Sequence, residues 1–309
     1  MFHKHRMARF IGLLLVVCSR TAPAQEALPA GPASRQGPPT TPDAKEIVRR
    51  ALDVDQANFQ LARNYTFERR EEIKLLGKKG NLKKHEINTY DMIFLYDEPW
   101  SRHIRKDDKP LASKEDRKEA EKMDRFIAER KNESEEKRQK RLEKREKERQ
   151  EERAFVRDVI NAYDFRIVGE EQVDGYGAYA VDATPRADFH PTQPHAEILS
   201  KLRGEIWISK KDYGCVKLQA EILDTITWRV LLVRIHKGTE FELEQTHVND
   251  EIWLPHRMSL HASARIALFV NDVVDWESTF SDYKKFTTGV RILPGVVEVS
   301  APADSPPSH

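Results

Sequence analysis

The sequence predicts a mainly β protein, in which a curved antiparallel sheet is covered by helices and interrupted by a long charged helical insertion. The first observation is that apolar and polar residues alternate in about ten segments, which is typical of strands with one buried face. The second is that turn residues separate these segments. The third is that few segments outside residues 113–162 have the sequence pattern of a helix. Because a sheet with one apolar face needs a cover, we expect helices and sheet curvature to enclose that face.

The N-terminus has the pattern of a secretory signal peptide at residues 1–24. Basic residues precede an apolar run at 10–17, and Ala22-Pro23-Ala24 has the A-x-A form of a cleavage site. This run is too short to cross the roughly 30 Å core of a bilayer. We therefore expect cleavage between Ala24 and Gln25. The mature protein would then be exported to the periplasm, in solution or peripheral to the outer membrane.

The next segment, residues 25–42, is rich in Pro, Ala, Gly and Gln and is predicted to be a disordered linker. Asp43 and Glu46 then have the spacing of a capping box, which predicts a helix that runs to about Arg63. Apolar residues repeat at helical spacing along this segment. The face that covers the sheet is predicted to include Val48, Leu52 and Phe59.

Strands flank the charged insertion on both sides. Residues 43–112 are predicted to hold the helix and the first strands of the sheet, and residues 163–287 the remaining strands. The Pro- and Ser-rich tail, 288–309, is predicted to be largely disordered. The predicted strands and hairpins cover 65–75, 82–96, 105–111, 164–171, 176–184, 204–222, 230–243, 258–268 and 274–280, with a short helix near 195–202.

The charged insertion, 113–162, has a different composition. From Glu129 to Arg153, 20 of 25 residues are charged, and Leu142 is the one aliphatic residue. Oppositely charged residues recur at i,i+4 spacing, and Gly and Pro are missing, which favours helix. The simpler interpretation is a solvated helix or helical hairpin inserted in a loop, without a partner. A docking arm for a protein partner in the cell envelope is the alternative, and we call residues 113–162 the charged arm.

The apolar face of the sheet is the candidate ligand site. A packed core and a cavity fit the pattern equally well. A cavity in an exported protein would favour a lipid-like guest, because each buried methylene contributes roughly 0.8 kcal/mol. Trp207 is expected to point outward or to a seam, and a one-residue register shift would place it inside. The candidate cavity residues on the strands are Ile206, Ile208, Val216, Leu218, Ile222, Phe241, Leu243 and Leu260.

The order of these segments resembles the LolA/LolB-like superfamily, and more closely its exported outer-membrane lipoprotein-sorting relatives. The similarity covers about 43–112 and 163–287, through a "GEIWIS" strand and turn, "CVKLQAEI", a "WLP" strand start and the closing "YKKF". The resemblance implies an incomplete antiparallel barrel with helices on its concave side. It also implies a carrier or chaperone that binds acyl chains of a lipoprotein or lipid during transport. The charged arm departs from that pattern, so an envelope interaction, scaffold or stress-sensing module is the alternative function.

The sequence offers little support for an enzyme. It has no G-x-S-x-G elbow, and its four histidines from 236 to 261 lack zinc-ligand spacing, so we predict no metal, cofactor or catalytic residue. Cys18 lies in the signal peptide, and its lipidation is disfavoured because bulky Val17 precedes it. Cys215 alone would remain, on the polar phase of its strand. The formal net charge of +1 argues against a nucleic-acid partner, and we expect a monomer.

Overall fold

The computed structural model describes residues 43–77, 79–96, 98–193, 196–228, 233–266 and 270–286. The predicted signal peptide, the linker and the C-terminal tail lie outside these described residues.

The first described element is helix α1, Ala44–Ala62. Its predicted N-cap is present, since Asp43 Oδ1 accepts a hydrogen bond from the backbone N–H of Lys45 at 3.1 Å. Glu46 does not complete the expected capping box. Its carboxylate instead binds Arg49, at 2.7 Å, and Arg50, at 2.9 Å, on the solvent side of the helix.

All described strands belong to one sheet, in which every neighbouring pair is antiparallel. Its main path runs β4-β3-β2-β1-β13-β12-β11-β8-β7-β6-β5, and its two ends do not pair, so the sheet is not closed into a barrel. The predicted fold class is therefore confirmed. The strands are β1 Tyr65–Leu76, β2 Leu82–Leu95, β3 Glu98–Lys106, β4 Lys109–Pro110, β5 Tyr163–Val173, β6 Tyr176–Pro185, β7 Leu202–Ser209, β8 Cys215–Ile222, β9 Ile226–Trp228, β10 Val233–Ile235, β11 Glu240–Val248, β12 Ile252–Ile266 and β13 Val270–Lys285.

One predicted strand, 230–243, is two strands in the structure. The chain bends at Gly238, whose φ is +79°, a value that a residue with a side chain rarely adopts. Before the bend, β10 pairs with β9 and the far end of β12. After it, β11 pairs with β8 and the first part of β12. The predicted short helix is a 3-10 helix, Ala196–Lys201.

The charged arm forms two helices rather than one. These are α2, Ser113–Lys131, and α3, Glu135–Ala162. The chain leaves the first helix at Asn132, and the side chain of Ser134 caps the second by accepting from the N–H of Lys137 at 3.4 Å. The first part of α3 is exposed, whereas its last turns carry buried residues such as Phe155 and pack against the 3-10 helix.

Helix α1 and the end of α3 lie on one face of the sheet. The buried side of α1, which includes Ile47, Val48 and Ala51, packs against Val181 of β6 and Ile208 of β7. Phe155 of α3 belongs to a neighbouring cluster with residues of β5, β6, β8 and the 3-10 helix. A third cluster fills the face of β11, β12 and β13. The candidate site lies where α1, α3 and the sheet meet.

Candidate functional site

An apolar cavity of about 150 Å³ lies between α1, α3 and the sheet. Its wall is formed by strands β5 to β8 and β11 and by the 3-10 helix, and it is mostly aliphatic and aromatic. The lining residues are Val48, Ala51, Leu52, Asp55, Val159, Tyr163, Phe165, Ala183, Leu199, Leu202, Arg203, Gly204, Ile206, Ile208, Cys215, Leu218, Ala220, Phe241, Leu243 and Gln245.

A row of small residues across three strands leaves room for the cavity. Ala183 of β6 pairs with Gly204 of β7, and Gly204 pairs with Ala220 of β8. Ala220 in turn pairs with Phe241 of β11. Larger side chains on this row would fill the volume between the sheet and α1. The cavity therefore follows from three consecutive small residues across the register of the sheet.

One face of α1 forms the opposite wall of the cavity. Val48, Ala51, Leu52 and Asp55 lie at i, i+3, i+4 and i+7, and therefore share one face of α1. Three of them are apolar. The fourth, Asp55, places a carboxyl group on the face that packs against the sheet.

Most of the predicted cavity residues line this space. Helix α1 contributes Val48 and Leu52, and the other five are Ile206, Ile208, Leu218, Phe241 and Leu243.

The remaining predicted cavity residues lie elsewhere. Val216 packs with Trp207 and Trp253, and Ile222 belongs to the cluster around Phe155. Leu260 is half-buried against the cluster of β11 to β13. Phe59 is half-buried near the end of α1, with the Arg63 guanidinium 5.5 Å from its ring centre.

A β-bulge explains the position of Val216. Trp207 pairs with Lys217, but the next residue, Ile208, pairs with Cys215, so Val216 is the extra residue of β8. Before the bulge, the side chain of β8 therefore points to the face opposite to the one that simple alternation predicts. Cys215 therefore lies on the cavity side, and its expected position on the polar face is wrong. Burial raises the pKa of its thiol, which keeps the group neutral.

Trp207 lies on the opposite face of β7 from Ile206 and Ile208, as the strand phase predicts. The side chain is nevertheless buried, since only 7% of it is exposed. Its Nε1 donates to Glu171 Oε2 at 3.0 Å, and Lys217 Nζ lies 5.8 Å from its ring centre. Trp207 therefore packs in a seam on the outer face of the sheet, rather than in the cavity.

Two polar residues of the site, Asp55 and Gln245, were missed by the sequence analysis. Each is only 7% exposed, and both line the cavity. Burial raises the pKa of Asp55 from 3.8 to about 7. A signal for both was available. Asp55 continues the apolar stripe of α1, and Gln245 continues the alternation of Phe241 and Leu243.

Potential metal-ligating side chains are scattered over the described residues. Among them, no group of three or more His, Cys, Asp or Glu side chains is arranged to hold a metal ion. His247 stacks on Trp253 with 5.0 Å between ring centres, and His261 pairs with Asp275 on the outer face. In the ranges that the model describes, no helix is long and apolar enough to cross a bilayer.

Comparison with known proteins identifies solved structures only, since no family model and no curated sequence matches the chain. A putative outer membrane lipoprotein-sorting protein domain from Vibrio parahaemolyticus is 11% identical, with a TM-score of 0.30, over 80% of this chain and 94% of that one. A LolA superfamily protein from Nitrosomonas europaea is 11% identical, with a TM-score of 0.28, over 82% and 96%. A MucA/MucB complex from Pseudomonas aeruginosa is 10% identical, with a TM-score of 0.20, over 80% and 100%. The sequence identity is 10–11% for all three structures.

Proposed function

We propose that this protein is an exported, non-catalytic carrier or binding protein for acyl chains of a lipoprotein or lipid in the bacterial envelope. The observation that carries the proposal is the apolar cavity beneath α1, which three adjacent small residues keep open. The N-terminal sequence supports the location, because its basic, apolar and A-x-A segments are those of a secretory signal peptide.

The volume indicates how a ligand would fit. Apolar cavities of about 150 Å³ remain dry in proteins and take up benzene-sized molecules. The cavity in the described state therefore accommodates a short stretch of an acyl chain. Each methylene that enters it would contribute roughly 0.8 kcal/mol. A longer chain needs more room, which α1 would provide by moving away from the sheet.

A pair of matched variants tests this proposal. Ala51 lines the cavity, whereas Ala57 is exposed on the same helix. Ala51→Leu should fill part of the cavity and weaken uptake of the apolar fluorescent probe N-phenyl-1-naphthylamine by at least about tenfold, while Ala57→Leu should bind it as the wild type does. Circular dichroism would check that both variants fold. Absence of probe uptake by the wild type, or equal uptake by all three proteins, would refute the proposal.

A second candidate function is protein interaction through the charged arm. The observation in its favour is the long exposed surface of α3, where residues 135–140 are all exposed and carry charges of both signs. The exposed Arg and Lys side chains of this surface would contact an envelope partner. Changing Lys137, Lys140 and Lys144 together to Gln should abolish capture of a partner from the native envelope. The same triple variant should leave probe uptake unchanged, because these residues are remote from the cavity lining.

A further inference from the structure

Three buried polar atoms at α1 and the adjoining strands have no hydrogen-bond partner among the described residues. They are Asp55 Oδ2, Asn58 Nδ2 and Gln245 Oε1. Each of these residues is only 7% exposed. Buried polar groups are normally paired, and leaving one unpaired costs free energy. Asp55 and Gln245 line the cavity, whereas Asn58 does not. We call Asp55 and Gln245 the polar end of the cavity.

Helix spacing and strand pairing fix the positions of these three residues. Asp55 and Gln245 both line the cavity, and Asn58 follows Asp55 by one turn on the same side of α1. Asn58 Oδ1 accepts from the backbone N–H of Trp253 at 3.4 Å, which ties the amide to the start of β12 and leaves its Nδ2 without a partner. Gln245 lies on the adjacent strand β11, opposite Pro255.

We propose that the polar end binds the head of an amphiphile, namely a group with an O–H or N–H donor and no negative charge, such as a hydroxyl, an amide or an ammonium group. This inference rests on the proposed function, since the tail of the same ligand would occupy the apolar cavity. The unpartnered oxygens of Asp55 and Gln245 accept a donor from the ligand.

Charge excludes a carboxylate head group. An ionised carboxylate would face Asp55 without a cation. The one cationic residue of the lining, Arg203, is bound to Glu221 at 3.0 Å, and 61% of its side chain is exposed. An ammonium group has donors only and would pair with the ionised carboxylate of Asp55. A hydroxyl or amide also donates to the unpartnered oxygens, without a charge of its own.

The other cavity-lining groups keep this preference over a range of pH. Cys215 of β8 and Tyr163 of β5 are uncharged, because burial raises the pKa of each. Gln245 of β11 and Val159 of α3 have no titratable group, and most of the Arg203 side chain is exposed to solvent. Burial raises the pKa of Asp55 to about 7, so it gains its charge near neutral pH. A neutral head can bind in either state, whereas a carboxylate is repelled more strongly as pH rises.

Competition between three probes with the same ten-carbon chain tests the inference. Decan-1-ol, decanoic acid and decylamine would each be titrated at pH 8 against bound N-phenyl-1-naphthylamine. We expect decan-1-ol and decylamine each to displace the probe at least about tenfold better than decanoic acid. Displacement by the acid that equals that by the alcohol or the amine would overturn the inference.

Variants of Asp55 give the matched controls. Asp55→Leu should abolish the preference for decan-1-ol, and Asp55→Asn should raise the affinity for decanoate while keeping that for the alcohol. Asp53→Leu, an exposed position on the same helix, should retain the wild-type preference. A preference that survives Asp55→Leu, with probe uptake intact, would mean that water satisfies the polar end, and would leave the acyl-chain cavity standing. No probe uptake by the wild type would remove both proposals together.

Discussion

Arg145 of α3 places its Nη2 2.9 Å from Glu98 Oε1 at the start of β3, and so ties the charged arm to the edge region of the sheet. Arg130 of α2 binds the same carboxylate, with Nη2 3.0 Å from Oε2. Both arginines and Glu98 are largely shielded from solvent. Beside them, Phe126 packs on Trp100 with 4.7 Å between ring centres. One acidic residue thus holds both helices of the arm.

Removing this carboxylate should loosen the arm. Glu98→Gln is expected to lower the free energy of unfolding by about 1–2 kcal/mol, because partly buried arginines lose a charged partner. Hydrogen exchange of amides in 113–131 should speed up, while the strands keep their protection. The exposed pair Glu136–Lys140 provides the control, and Glu136→Gln should change stability by less than about 0.5 kcal/mol. Equal effects of the two variants would contradict the role of Glu98.

A second prediction concerns the turn between β7 and β8. Gly214 lies against the indole ring of Trp253, and an added Cβ would overlap that ring. The ring is also held in place, because its Nε1 donates to Asp212 Oδ2 at 3.2 Å. Gly214→Ala should therefore cost about 1–3 kcal/mol in urea unfolding. Gly169→Ala is the matched control, since nothing lies within 4 Å of its added Cβ, and it should be nearly neutral.

A third prediction concerns the pH dependence of stability. Burial raises the pKa of Asp55 from 3.8 in the unfolded chain to about 7 in the folded one. Between these values the unfolded state holds fewer protons, so the contribution of Asp55 to the free energy of unfolding falls as pH rises from about 4 to 7, by up to about 4 kcal/mol. Asp55→Leu should remove this contribution. The difference between wild type and variant, measured by urea unfolding at several pH values, should therefore grow towards pH 7 and then level off.

A fourth prediction concerns Cys215, which faces the cavity. Its thiol should react with iodoacetamide at pH 8 at least about 100-fold more slowly in the folded protein than in urea, because the half-buried thiol faces the cavity and its pKa is raised. Mass spectrometry of the mature chain would give both rates. A folded-state rate close to the unfolded one would show that the cavity opens freely to small polar reagents.

The sequence predicts the sheet well because alternation reports directly on which face of each strand is buried. It identifies most of the strand residues of the cavity, such as Ile206, Leu218 and Leu243, for the same reason. It also predicts the charged arm as helical, since i,i+4 pairs are a local property. The positions of these elements follow from patterns that span only a few residues.

The parts that were missed depend on contacts across the sheet. The bulge at Val216 places Cys215 in the cavity, and a simple alternation of period two cannot show it. The row of Ala183, Gly204 and Ala220 exists only once the register of three strands is known. Asp55 and Gln245 continue the spacing of the apolar positions, but hydrophobicity alone assigns their polar side chains to a wet face. The polar end of the cavity is therefore a tertiary feature.

Native mass spectrometry of the mature chain, purified from a bacterial periplasm, would detect a bound acyl lipid without any added probe. We expect an adduct with the mass of an acyl lipid, which organic extraction removes and identifies, and whose occupancy drops in Ala51→Leu but not in Ala57→Leu. A protein that carries no adduct and takes up no added decan-1-ol would rule out an acyl-chain site, and the space beneath α1 would then be only a packing defect of the core.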